Sequence, residues 1–304
     1  MGRTGTIRSD ATATSALDGV ALQSRPMPPF GIAAGLLAAA SFGAGDFAGA
    51  VAARRAGPLL VVAGAHGVGL AALLIGALIV RPPIGDPSVI LIGLAAGIGG
   101  AVGLAALYRG MSIGSMGVVT ALSGAGSLAL PLVVGAILDA PITSLQLVGV
   151  ACAAAAAVAA GGAARDTVGR QALLMAGLAA AGFGTWYVLL DLAAEAGDPL
   201  WALVASRASS SVLTAAAVGL RRVDPRALPL RLVVVAGLFD VGGNALYVLS
   251  RELLPLGLAA ALTGLYPIGT MLLARVILGE RLSRLGQIGV ALALLGIVLI
   301  SAGG

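Results

Sequence analysis

Four ionisable side chains stand inside long apolar stretches: Asp46, His66, Arg207 and Asp240. A charge at the middle of a membrane helix costs at least about 2.5 to 3.5 kcal/mol, so each needs a counter-charge, a proton or a wet cavity. Groups of this kind mark substrate and proton pathways. Asp240 is followed by Gly242, Gly243 and Asn244. The glycines leave room for a ligand to approach the backbone, and Asn244, one helical turn on, faces the same way as Asp240. Counting inward from the connection between their helices, Arg207 lies about four residues deeper than Asp240, roughly 6 Å at 1.5 Å per residue, within the reach of an arginine. Two readings stay open: a buried ion pair that orients two helices, or a site where Arg207 meets an anionic substrate group and Asp240 exchanges a proton. Asp46 and His66 sit at similar depths on either side of the turn at 54–57. They are placed to pair, and a histidine beside a carboxylate titrates in a range suited to proton coupling. The simpler alternatives are a satisfied polar contact, or Asp46 reaching Arg54 or Arg55.

Around these charges, Trp186, Tyr187, Tyr247 and Tyr266 are candidates to line a cavity, because a ring with a polar tip suits a wall that is half apolar and half wet. Lipid or core packing is the alternative for each. Trp201 begins an apolar run and is expected at the membrane interface, and Arg109 and Arg275 are expected to snorkel outward. Pro131 and Pro267 fall within apolar runs, where a proline frees a backbone carbonyl and kinks the helix, so both are hinge candidates.

The elements that must position these residues follow from composition. Hydrophobic residues make up 59% of the 304, charged residues 10%, and mean hydropathy is +1.05. One water-soluble core could not hide that much apolar surface, so the solvent for most of it is lipid. Apolar runs lie near 30–51, 58–80, 88–108, 115–137, 143–162, 170–192, 199–220, 230–250, 255–278 and 284–302. A span needs about 20 apolar residues, and lipid admits helices for stretches this long and unalternating. The expected fold is therefore an all-α integral membrane protein of ten transmembrane helices. Small residues four apart, such as Gly31 with Gly35, Gly93 with Gly97, Gly99 with Gly103 and Gly110 with Gly114, let helix backbones approach closely. Residues 1–28 are polar and proline-ended, and are expected to form a disordered tail rather than a signal peptide.

The chain also repeats itself. LAAASFG at 37–43 returns as LAAAGFG at 178–184, a shift of 141 residues. At a shift of 140, Gly97 meets Gly237, Gly103 meets Gly243, Gly117 meets Gly257, ALSG at 121–124 meets ALTG at 261–264, and Gly149 meets Gly289. The expected division is 1–28, then five-helix repeats over 29–164 and 165–304. An odd number of crossings inverts the second copy relative to the first. Inverted-topology repeats place a substrate site near the bilayer midplane between the halves and work by alternating access.

The segment LTGLYPIGTMLLARVILGERLSRLGQIGVALALLGIVLISAGG at 262–304 resembles the closing helices of EamA-type repeats in the drug/metabolite transporter superfamily, with Pro267, the Gly279–Glu280 pair and Gly289 at that family's hallmark positions. The segment SFGAGDFAGAVAARR at 41–55 is similar to the first helix of one EamA branch. In the first half, Asp139 and Ala140 stand where a Gly–Glu pair is expected. The resemblance implies a ten-helix carrier that moves metabolites, often outward, driven by protons or by the substrate's own gradient.

The function expected is a carrier of a small metabolite, an amino acid or an amine, working by alternating access with proton coupling, exchange or uniport, in the plasma membrane, the inner one of a bacterium. A membrane-embedded enzyme or sensor and a channel are the alternatives. Enzyme motifs are absent: there is no His-Glu-x-x-His, no phosphate-cradling Gly-Lys pair, and a single histidine. His66 and the single Cys152 supply neither a metal centre nor a disulfide, and no cofactor is expected. The 18 basic residues are all arginine and sit at the ends of runs, so the net charge of +5 reads as topology rather than nucleic-acid binding. The expected partners are a small-molecule substrate and lipid, and a monomer fits this plan. Arg3, Arg8, Arg25, Arg81 and Arg251 share one side, and most others, including Arg221, Arg222, Arg226 and Arg231, share the opposite one. The positive-inside rule then puts both termini outside, whereas the resemblance implies that both are cytoplasmic.

Overall fold

A computed structural model describes residues 29–137, 142–163, 169–254, 259 and 262–303. The tail through residue 28, Asp139, Ala140, Gly257 and Ala261 lie outside the described residues. Those described form helices joined by short connections, with no strand among them. The helices are α1 (Pro29–Ala56), α2 (Pro58–Val80), α3 (Ser88–Ile113), α4 (Met116–Ser127), α5 (Ala129–Ile137), α6 (Ser144–Ala163), α7 (Arg170–Ala196), α8 (Pro199–Leu220), α9 (Leu230–Leu253), α10 (Tyr266–Leu278) and α11 (Arg284–Ala302). Eight spans are long and apolar enough to cross a membrane, one of them joining α4 to the start of α5 over Met116–Val134. Two shorter apolar helices, Ser144–Ala156 and Tyr266–Leu278, accompany them.

Local chemistry sets several boundaries. Pro58 and Pro199 open α2 and α8 in the first turn, where a missing N–H costs nothing. Ser115, Asp198 and Ser283 cap α4, α8 and α11 through their side-chain oxygens. Ahead of α3, Asp86 accepts the Ser88 N–H at 2.8 Å, and that hydrogen bond holds the exposed Asp86 carboxyl below the usual carboxylate range. The run at 115–137 is broken between Ser127 and Ala129. Pro131 follows the break, and the carbonyl four residues before it belongs to Ser127, the last residue of α4. Pro267 lies in the first turn of α10, directly after a turn at 264–265 that separates this helix from the helical residues 262–263.

Small residues decide which helices touch. α1 lies along α9, with Gly31 against Leu253 and Leu254, Gly45 against the Ala236 carbonyl, and the Ser41 hydroxyl donating to the Phe239 carbonyl at 2.7 Å. α3 lies along α7, where Gly99 and Gly103 meet Gly182 and Phe183. α2 packs on α8 and α9, α3 on α8, α4 on α7 and α10, α1 on α10, and α6 on α11 through Gly149 and Gly296. Without a hydrophobic drive between helices in lipid, such close backbone approach supplies the van der Waals contact that holds them.

The approach is tightest at Gly97. A Cβ there would fall 2.0 Å from the Ser209 hydroxyl and 2.1 Å from the Ser206 carbonyl, part of the α8 backbone. Gly97→Leu is therefore expected to force α3 off α8 and to cost about 1 to 3 kcal/mol or more. Gly67→Ala, with nothing within 4 Å of the added methyl, is expected instead to gain about 0.5 to 1 kcal/mol from lost chain entropy. Unfolding of both variants in detergent checks the opposite signs. A neutral Gly97→Leu would mean that these helices do not touch.

Candidate functional site

Arg207 and Asp240 meet. The guanidinium Nη2 donates to Asp240 Oδ2 in a direct ion pair between α8 and α9. Their environments differ, since the Arg207 side chain is 7% exposed and that of Asp240 is 27% exposed. The arginine is enclosed by helices, with Gly69 of α2 leaving space near its Nε, while the carboxylate side chain stays partly exposed.

His66 does not pair with Asp46, contrary to the sequence expectation. It is buried at 2% exposure, and its Nδ1 shares a hydrogen bond with the Ser210 hydroxyl of α8, three residues beyond Arg207. The reason is packing: α2 turns this face toward α8 and α9, with Gly69 against Val241 and with the Ala65 carbonyl against Gly237. His66 Nε2 has no hydrogen-bond partner among the described residues. The row of serines at 209–211 beside Arg207 was the signal in the sequence that could have located this contact.

Asp46 faces the other way, toward the centre of the bundle. Its neighbour Gly45 abuts the Asp240 backbone N–H, and the Asp46 and Asp240 carboxylates are close enough for their charges to interact. One turn before it, Phe42 fills the space left by Gly243 and meets Tyr266 edge-on, ring centroids 6.4 Å apart. One turn after it, Gly49 accommodates the ring of Tyr108. Tyr108, Tyr187 and Tyr266 all lie within electrostatic reach of Asp46. Among the described residues, no basic nitrogen comes within 4.0 Å of the Asp46 carboxylate. Arg54 is not a partner either, because its Nη2 donates to the Met111 carbonyl at 3.1 Å.

The remaining candidates divide. Tyr187 is 43% exposed, and Tyr247 lies close to it. Trp186 meets Tyr187 edge-on, ring centroids 5.1 Å apart, and donates its indole N–H to the Ser206 hydroxyl at 3.0 Å, so its polar edge already joins α7 to α8. Asn244 donates back to the Asp240 carbonyl at 2.9 Å, which leaves its amide oxygen available. Gly243 is closed by Phe42, whereas Gly242 meets only the Ser41 hydroxyl, at an ordinary 3.5 Å. Trp201 donates to the Pro82 carbonyl at 3.0 Å and ties the start of α8 to the connection between α2 and α3. Sequence reading missed Phe42 and Tyr108. The apolar run at 88–108 ends on Tyr108, whereas α3 continues to Ile113 and leaves that tyrosine 2% exposed.

The site can therefore hold charge in a particular way. The Arg207 and Asp240 charges cancel each other, and what remains toward the centre is one carboxylate, Asp46, among tyrosine rings. A cation suits this combination, since it gains the carboxylate in a setting with no other counter-charge among the described residues. No three potential metal-ligating side chains gather among the described residues. A cavity of about 430 Å³ lies elsewhere, at the helix ends, lined by Arg54, Ser115, Val118, Glu280, Leu282 and Gly286. Arg54 is eight residues from Asp46 along α1, roughly 12 Å at the helical rise, so that cavity is separate.

Residues 170–302 match the model of the EamA-like transporter family, consistent with an EamA-type transporter of the drug/metabolite transporter superfamily. With eight apolar helices, the match supports a multi-pass membrane protein that transports small molecules. A search of the curated proteins finds no match. Among solved structures 14 chains match. One, a crystal structure of a protein, superposes with a TM-score of 0.59 at 21% identity, covering 88% of this chain and 96% of its own. At that identity the likeness speaks for the fold alone.

Proposed function

We propose that this EamA-type chain is an alternating-access carrier for a small organic amine, which binds as a cation between Asp46 and the surrounding tyrosines. The observation that carries the reading is the unpaired Asp46 carboxylate, set inside the bundle beside an Arg207–Asp240 pair that is already neutral as a unit. A carboxylate at this depth needs a proton or a cation. An amine supplies one and a proton the other, so the two compete for a single site, which is the simplest basis for exchange. An amino-acid zwitterion is the second reading. It needs Arg207 to release Asp240 and take the substrate carboxylate, and the direct pair weighs against that.

The ten-span, two-repeat plan supports a carrier, and the packing pattern favours that plan. If 29–164 and 165–304 are exchanged, α1 against α9 becomes α7 against α3, and α2 against α9 becomes α8 against α3; both partners of each exchange are in contact. Contacts of α2 with α8 and of α6 with α11 map onto themselves. A bundle built this way can rock one half on the other around a central site. The breaks near Pro131 and at the start of α10 near Pro267 are the proposed places for bending.

A ligand that binds only the folded state raises its melting point, by about 2.7 kcal/mol of stabilisation at a hundred times Kd. Purified protein screened against amines, amino acids, sugars, nucleosides and organic acids is expected to show saturable shifts of a few degrees with amines alone. Shifts confined to organic acids would overturn the assignment, and shifts with amino acids but not simple amines would favour the zwitterion.

A further inference from the structure

The Glu280 carboxylate crosses between the two halves of the chain. Ser115 donates its hydroxyl to Glu280 Oε1 at 2.5 Å, and the Met116 and Gly117 N–H groups donate to Oε2 and Oε1 at 3.2 and 3.5 Å. Glu280 therefore seats on the first turn of α4, where free N–H groups and the helix dipole favour an anion and where α4 has no acidic residue of its own. Its approach is fixed by Gly279, which ends α10 at φ 67°, a left-handed turn suited to glycine, with the Glu280 N–H returned to the Ala274 carbonyl at 3.1 Å.

This contact lies at the end of the bundle where the buried apolar packing is more extensive, at the rim of the cavity lined by Ser115 and Glu280. The larger buried apolar cluster takes Ala53, Val62, Met111, Val119, Ala274 and Val290 from helix ends on the Glu280 side, whereas the far end has two small clusters. Asp240 and Tyr187, farther from this end along α9 and α7, are 27% and 43% exposed. Directly beneath the contact, α4 and α10 touch through Gly117 against Met271 and Gly124 against the Tyr266 hydroxyl. In the sequence 140 residues earlier the Glu280 position is Ala140, which has no carboxylate to offer.

The geometry points to Glu280 as the latch of one gate: its seat on the α4 N-terminus holds the helix ends on its side closed, so the site must face the other side until the latch opens. The pair of α4 and α10 is then the element that parts, and the asymmetry of Glu280 against Ala140 biases the resting carrier toward closure at the Glu280 end. This rests on the carrier reading but not on the amine, because its test needs no substrate.

The test is labelling of Asn244→Cys, in a Cys152→Ser background, by a membrane-impermeant maleimide applied from each side of sealed vesicles. Glu280→Gln is expected to raise the labelling rate from the Glu280 side at least five-fold and to lower it from the opposite side. Ser115→Ala, which removes one of three hydrogen bonds, is expected to shift both rates in the same directions by about two-fold. Unchanged rates in a folded Glu280→Gln protein would overturn the latch. If Glu280→Gln does not fold, Ser115→Ala decides: unchanged rates would make Glu280 a fastening of the fold, and shifted rates would support the gate.

Discussion

Replacing Arg207 with leucine is expected to destabilise the protein by about 3 to 5 kcal/mol, the usual cost of removing one partner from a buried ion pair. Arg207 is held to 7% exposure, and its loss leaves the Asp240 carboxylate without its partner and near the like charge of Asp46. Asp240→Asn is expected to cost less, because the amide oxygen still accepts the Arg207 N–H at the same place. Removing both charges together, as Arg207→Met with Asp240→Leu, is expected to recover most of the loss, since a packed apolar pair avoids the desolvation of two ions. Unfolding in detergent of Arg207→Met, Asp240→Leu and the double variant forms the cycle that isolates the pair. A loss below about 1 kcal/mol for Arg207→Leu would mean that the pair is hydrated and contributes like a surface contact. The double variant also separates framework from function: with Asp46 carrying the amine, it is expected to keep amine binding.

Asp46→Asn is expected to do the opposite on both counts. An amine bound to a desolvated carboxylate gains about 2 to 3 kcal/mol over a neutral acceptor, so its affinity is expected to fall roughly 30- to 150-fold. The unliganded protein is expected to hold its stability or to gain about 1 kcal/mol, because an intramembrane carboxylate without a partner is replaced by a neutral amide of the same shape. Calorimetric titration with an amine that passes the melting screen reads the first effect, and the unliganded melting point reads the second. Retention of full amine affinity by Asp46→Asn would remove the carboxylate from the site, while a large loss of stability would show that Asp46 has a structural partner.

The sequence located the residues of consequence better than it paired them. The Arg207–Asp240 contact was legible because both lie on consecutive helices, where depth can be counted along a hairpin at a fixed rise. The same counting placed Asp46 level with His66 and failed, because equal depth does not fix which way a helix faces. That rotation is set by Gly45, Gly69 and Gly237, each of which admits a neighbour at a particular angle, and their contacts lie on helices far apart in sequence. Gly243 shows the same limit: a missing side chain reads as room for a ligand, and here Phe42 occupies the room.

What the sequence determined by itself is the class of protein, its helices and the small set of charged residues inside them. These are consequences of local solvation, since each apolar stretch must satisfy its own backbone hydrogen bonds in lipid and each buried charge stands out against that background. The tertiary structure decided the partners: His66 with Ser210 rather than Asp46, Asp46 toward tyrosines contributed by α3, α7 and α10, and Glu280 on the first turn of α4. The physical reason is that helix–helix contact in lipid depends on the shape of whole faces, where one glycine sets both the distance and the rotation of a helix, and no local pattern encodes which face it will meet.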